Sequence, residues 1–361
     1  MGVPSGLALT LLELSRVTGC CVWKGASHLE ESLNGSGDLD VLVSPRAALS
    51  AEALLRRSGF LAAGLAHPCD QPGLKDWLGY DGRRLLHVQL YDQMVLGDRI
   101  RGWWRLPHAD DVLRTVREKP PGVLVPSPEV EALLILVRAA LRSPAVDAVV
   151  PLAGGLPSST WRRQWEAQLG LTTRTEVAAV AARWFGSSVG SLVASDEFRF
   201  HSTDLAALRR LMQGSMTRVG DHLPRRLTRL LALALHKADR RLGRGTRLVK
   251  RGCPGGGFCA VIAGPDARFT VSDLCSTFAG KLDVHRVTIP RVRDRPHSRP
   301  LRRAGRARRS GRLVLVGVDR VTTELRQMAD LVVDAANPDG TDRSQQTAER
   351  VWSALLDRAS G

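Results

Sequence analysis

The sequence predicts an α/β protein in three parts. These are an α+β part over residues 1–122, a helical connector over 123–245 and, after a linker over 246–257, a parallel α/β unit over 258–361. Three observations carry this expectation. Cys21 to Val43 reads as strand, tight turn, short helix, glycine-rich turn and strand. From Thr160 to Arg241 apolar residues recur at helical spacing, with Trp161, Trp165 and Trp184 available as anchors. After the basic, glycine-rich stretch GRGTRLVKRGCPGGG, the chain runs apolar strand, turn, helix and apolar strand from Phe258 to Ile289. Unbroken apolar strands joined through a helix are what a parallel sheet covered on both faces requires.

Taken in order, leucines 7, 9, 11, 12 and 14 give residues 6–18 an apolar helical face. Glu13 inside that stretch, and the lack of a basic leader, argue against a signal peptide. A helix over 47–58 ends at Gly59, and Phe60 to Ala63 form a short strand. Asp81-Gly82 then joins two strands, KDWLGY and RRLLHVQLYD. A helix is expected over Asp110 to Glu118, then a Lys119-Pro-Pro-Gly turn. Ser127 as N-cap, Pro128 at the first helical position and two early glutamates predict a helix through Arg142. Residues 143–158 read as loop, and 222–241 as an amphipathic helix with one basic face.

Composition narrows the function classes. The chain has 361 residues, 43% of them hydrophobic, and no apolar run long enough for a membrane span, so a cytoplasmic protein without a membrane partner is expected. Six cysteines show neither a CxxC pair nor zinc spacing, and reduced thiols are expected. Of the net charge of +16, ten arginines over 290–312 less Asp294 contribute +9. That segment has no aromatic residue for stacking on bases. It reads as a solvated Arg/Pro loop, with polyanion or nucleic-acid binding the less favoured alternative.

The chemistry concentrates in KGAS and DLDVLV. Residues two apart on a strand share a face, so Asp38 and Asp40 are candidate catalytic, metal-holding carboxylates. With ten residues between Ser27 and the first aspartate, Gly25 and Ser27 form a turn ahead of a helix, where backbone amides can hold a phosphate. Lys24 adds a positive charge at its rim. On the later strand His87, Gln89 and Tyr91 face one way, making His87 and Gln89 candidate nucleotide contacts. No acid lies within that polar face, and Asp92 at its end falls with the apolar set.

These residues resemble the signature of the nucleotidyltransferase superfamily, the DNA polymerase beta-like fold, with Ala26 inserted between the glycine and the serine. The resemblance implies magnesium held by Asp38 and Asp40, and transfer of a nucleoside monophosphate from a bound NTP to an acceptor it does not identify. The C-terminal unit resembles thymidylate kinase-like P-loop proteins. Gly264, Pro265 and Asp266 match the loop's start, and Asp319-Arg320 match a later strand end. Ala267 and Phe269 replace loop glycines, Thr270 the phosphate-binding lysine and Val271 the magnesium-binding hydroxyl, so this second site reads as a kinase site lost, with Phe269 crowding the phosphate path. Lys281, about 15 Å along the following helix, stands too far to replace the lysine. The alternative expectation is a non-catalytic nucleotide-binding or scaffold protein with both sites degraded.

Overall fold

The computed structural model describes residues 6–34, 37–63, 71–98, 102–142, 158–219, 257–264, 266–278, 284–288, 298–309, 312–334 and 343–360. The expected loop at 143–157, the basic helix at 222–241, nearly all of the linker, and Lys281 lie outside them. In chain order the elements are α1 (Gly6–Thr18), β1 (Cys21–Lys24), a 3-10 turn (Ala26–His28), α2 (Leu29–Leu33), β2 (Leu39–Leu42), α3 (Ala48–Arg57), β3 (Leu61–Ala63), β4 (Leu74–Tyr80), β5 (Leu85–Tyr91), β6 (Met94–Asp98) and β7 (Gly102–Leu106). Then come α4 (Ala109–Arg114), β8 (Val116–Lys119), β9 (Val123–Pro126), α5 (Pro128–Arg142), α6 (Ser158–Leu169), α7 (Arg174–Phe185), α8 (Ser187–Ala194), α9 (Ser202–Met212) and β10 (Thr217–Val219). The last are β11 (Phe258–Ala263), α10 (Ala267–Phe278), β12 (Val284–Thr288), α11 (Ser298–Arg309), β13 (Leu313–Val318), α12 (Thr323–Met328), β14 (Leu331–Asp334) and α13 (Arg343–Ser360). The chain is thus mixed α/β, as its periodicity predicts.

Cα packing divides it into two compact units: residues 1–53, 69–74 and 89–233, and residues 54–68, 75–88 and 234–361. The first unit is organised around α5. Eleven of its fifteen residues are buried, the mark of a helix covered on all sides. Trp161 and Trp165 from α6, Trp184 from α7, Phe198 and Phe200 pack into the same core as Cys21 and Trp23 of β1 and Leu42 of β2. β1 pairs antiparallel with β2, and the Val43 N–H donates to the Tyr91 carbonyl at the end of β5.

The second unit carries a parallel sheet in the order β12-β13-β11-β14. Phe258, Ala260 and Ile262 of β11 face one core, with α10, α13, Leu61 of β3, Leu78 of β4 and Leu85 of β5. Cys259 and Val261 face another, with Ala304 and Ala307 of α11 and Leu325 of α12. Both faces being covered explains the near-continuous apolar strands read from the sequence. Asp330, just before β14, ties this unit together. Its carboxylate accepts the Cys259 N–H at 2.7 Å and meets Arg308 of α11 at 2.6 Å and Arg358 of α13 at 3.0 Å. Burial, with that carboxylate beside it, pushes the Cys259 thiol up to about 12, so it stays protonated.

The structure corrects several local expectations. The arginine-rich segment is not all loop, since residues 298–309 form α11. Pro300 sits in that helix's first turn, where a missing N–H costs nothing, Ala304 and Ala307 are buried, and Arg303 and Arg306 are exposed. The helix expected over 110–118 ends at Arg114, where Thr115 caps it, and residues 116–119 pair as β8 with β9. The helical run to Arg241 is interrupted by β10, which pairs with β7. Among the described residues no helix is long and apolar enough to cross a membrane.

Candidate functional site: a cationic cluster in the first unit

The turn after β1 has the backbone that its glycine implies. Gly25 adopts φ 76° and ψ 25°, a left-handed conformation that side chains with a Cβ disfavour. Among the described residues nothing lies within 4 Å of where a Cβ would stand. The Lys119 ammonium donates to the Ala26 carbonyl at 3.1 Å and fixes the turn from below. Ser27 lies in the 3-10 turn, and its side chain is outside the described residues.

Lys24 and Asp40 meet because of a register shift. Cys21 pairs with Leu42 and Val22 with Val41, but Lys24, not Trp23, stands opposite Asp40. The extra residue, Trp23, turns into the core at 1% exposure and leaves Lys24 beside the carboxylate, Nζ to Oδ1 3.4 Å. The Lys24 ammonium lies 4.2 Å from the Trp23 ring centre and 3.9 Å from that of Tyr91, and the two rings meet edge to face. The Tyr91 hydroxyl donates to Gln89 Oε1 at 3.1 Å, which brings Gln89 into the same group.

Two further cations come from α5, which packs on β1. Arg138 and Arg142, one turn apart and therefore on one face, lie over the Trp161 ring at 4.8 and 5.8 Å. Burial pushes the Lys24 ammonium down to about 8; Asp40 opposes the shift, and Arg138 and Arg142 add to it. Burial likewise lowers Arg138 to about 10; Arg142 adds to that shift, while Asp40, Tyr91 and Glu131 oppose it. Lys24 and Arg138 thus both feel the Asp40 carboxylate, Arg138 feels Glu131 as well, and Arg142 adds a third positive charge beside them. Like charges one helical turn apart are destabilising, so this pair is a cost the fold carries.

The remaining expected residues are placed differently. Asp38 is exposed just ahead of β2, and its carbonyl accepts from the Ser32 hydroxyl at 3.1 Å. His87, in the second unit, is 7% exposed, and its Nε2 lies 2.8 Å from Oδ1 of buried Asp76 on β4. For the implied magnesium, Asp40 is engaged by Lys24 and Asp38 is exposed. Among the described residues no group of three His, Cys, Asp or Glu side chains could hold a metal ion. These residues do not fit a metal centre.

In the second unit only Gly264, Pro265 and Asp266 separate β11 from α10. The Ala267 N–H bonds to the Gly264 carbonyl, and those of Phe269 and Thr270 bond to that of Asp266. Backbone amides that a phosphate loop would offer are therefore already paired. Phe269 is 74% exposed and crowds nothing; instead Thr270 and Val271 are the residues turned inward. Asp319 is half-buried and Arg320 exposed after β13.

Sequence reading missed Arg138, Arg142 and Asp76, and it expected Trp161 only as a core anchor. Two arginines four apart in the otherwise apolar run ILVRAALR were the available signal for the first pair. Comparison of the chain with family models, with curated proteins and with solved structures found no match.

Proposed function

We propose that the first unit binds a nucleoside triphosphate and that the chain works as a nucleotide-binding protein. One observation carries this reading. Lys24, Arg138 and Arg142 outnumber Asp40 and Glu131, the carboxylates that act on them, beside a left-handed glycine turn. Buried excess positive charge is costly unless an anion relieves it, and a polyphosphate is a dense anion that backbone can approach closely at glycine. The strand–turn–helix–strand order around that turn, with its likeness to nucleotidyltransferases, supports a nucleotide as the source of the phosphates. A second reading, nucleotidyl transfer to an acceptor, is favoured by the two aspartates at the head of β2. No kinase activity is proposed for the second unit, given its three-residue turn.

Calorimetric titration of the full chain with each of the four ribonucleoside triphosphates tests the reading. Binding is expected, without release of pyrophosphate. Gly25→Val is expected to raise the dissociation constant about tenfold, equivalent to about 1.4 kcal/mol, by straining the turn. Absence of binding overturns the proposal. Pyrophosphate release that Asp38→Asn abolishes would favour transfer instead.

A further inference from the structure

Resting on that reading, we infer that the triphosphate is held without a divalent metal, directly by Lys24, Arg138 and Arg142. The argument is one of charge and placement. Transferases that bind nucleotides through magnesium present carboxylates to the metal, which in turn neutralises the phosphates. Here Asp40, the carboxylate on β2, faces an ammonium at 3.4 Å, and the other candidate, Asp38, is exposed. The positive charge that a metal would bring is built into the chain instead.

The guanidinium groups are held for the purpose. Trp161, 3% exposed, gives both a cation–π contact that leaves their hydrogen-bond donors unused. Among the described residues neither guanidinium has a carboxylate within salt-bridge distance. Arginine forks match phosphate oxygens two at a time, and the lysine serves as a point charge. Asp40 then orients Lys24 and keeps it protonated, and Trp23 and Tyr91 box it in place.

The test is titration of the full chain with ATP in EDTA and again in excess magnesium, with inorganic tripolyphosphate as competitor. Binding in EDTA as tight as in magnesium, or tighter because free ATP carries more charge, is the expected result, with displacement by tripolyphosphate. Arg138→Gln and Arg142→Gln should each weaken binding about tenfold, and Arg138→Lys, which keeps the charge but loses the fork, should recover part of the loss. Binding that needs magnesium overturns this inference and leaves nucleotide binding standing; no binding in either condition overturns both. Equal losses in Arg138→Gln and Arg138→Lys, with circular dichroism unchanged, would also overturn it, because charge would then not be what matters.

Discussion

Asp330→Ala lowers the stability of the second unit by about 3 kcal/mol. The substitution removes the acceptor of the buried Cys259 N–H and the shared partner of Arg308 and Arg358. Those two guanidiniums also bond the Gly257 carbonyl, and Arg308 bonds that of Met328, so α11, α13, β11 and the start of β14 lose a common tie. The side chains of Arg308 and Arg358 are 28% and 33% exposed, so water recovers part of their loss and the figure falls at the low end for a broken buried pair. Asp330→Asn keeps an acceptor for Cys259 and should lose about half as much. Urea unfolding followed by far-ultraviolet circular dichroism measures both. A change below about 1 kcal/mol for the alanine variant would mean that the ties are surface pairs of little weight.

The second large effect is a pH dependence of stability that passes through Lys24. Its folded-state value of about 8 lies below the usual 10.5, so the folded protein releases this proton first. Stability rises with pH wherever the unfolded chain binds more protons. The Lys24 contribution is therefore complete above 10.5 and is lost as pH falls through 8. Lys24→Met lacks this titration but keeps a side chain of similar length in the aromatic box. From pH 7.5 to 9.5, wild type should gain about 2 kcal/mol relative to Lys24→Met. The groups that face the ammonium are Asp40, Arg138, Arg142 and the Trp23 and Tyr91 rings, and all remain in both proteins. A difference that stays flat across that range would place Lys24 in water, outside the cluster.

The local pattern of the chain was legible where one helix or strand decides it. Ser127-Pro128 and the apolar run after it gave α5 to the residue, and the DLDVLV alternation gave β2 next to a glycine turn. The partners that make the site were not legible, because register and tertiary packing decide them. A β-bulge at Trp23 leaves no trace in composition, yet it determines that Lys24 meets Asp40 and that the carboxylate is engaged. Arg138 and Arg142 lie about a hundred residues beyond Asp40 and reach it only because α5 packs on β1. The same limit hid Asp76, which neighbours His87 through strand pairing. In the arginine-rich segment Pro296, Pro300 and like charges masked the small-residue spacing of Ala304 and Ala307, which is what seats α11 on the sheet.

Asp40 separates the two roles that this site could have, because they predict opposite signs. A carboxylate that holds a catalytic metal cannot be neutralised without loss of nucleotide binding. A carboxylate that only counters an excess of cations can be. The measurement is the ATP affinity of Asp40→Asn against wild type, in EDTA and at pH 6 to keep Lys24 protonated. The variant is expected to bind at least as tightly as wild type, since the negative charge facing Lys24 is gone while Lys24, Arg138 and Arg142 remain. A loss of tenfold or more in a folded Asp40→Asn protein would contradict a metal-free phosphate site.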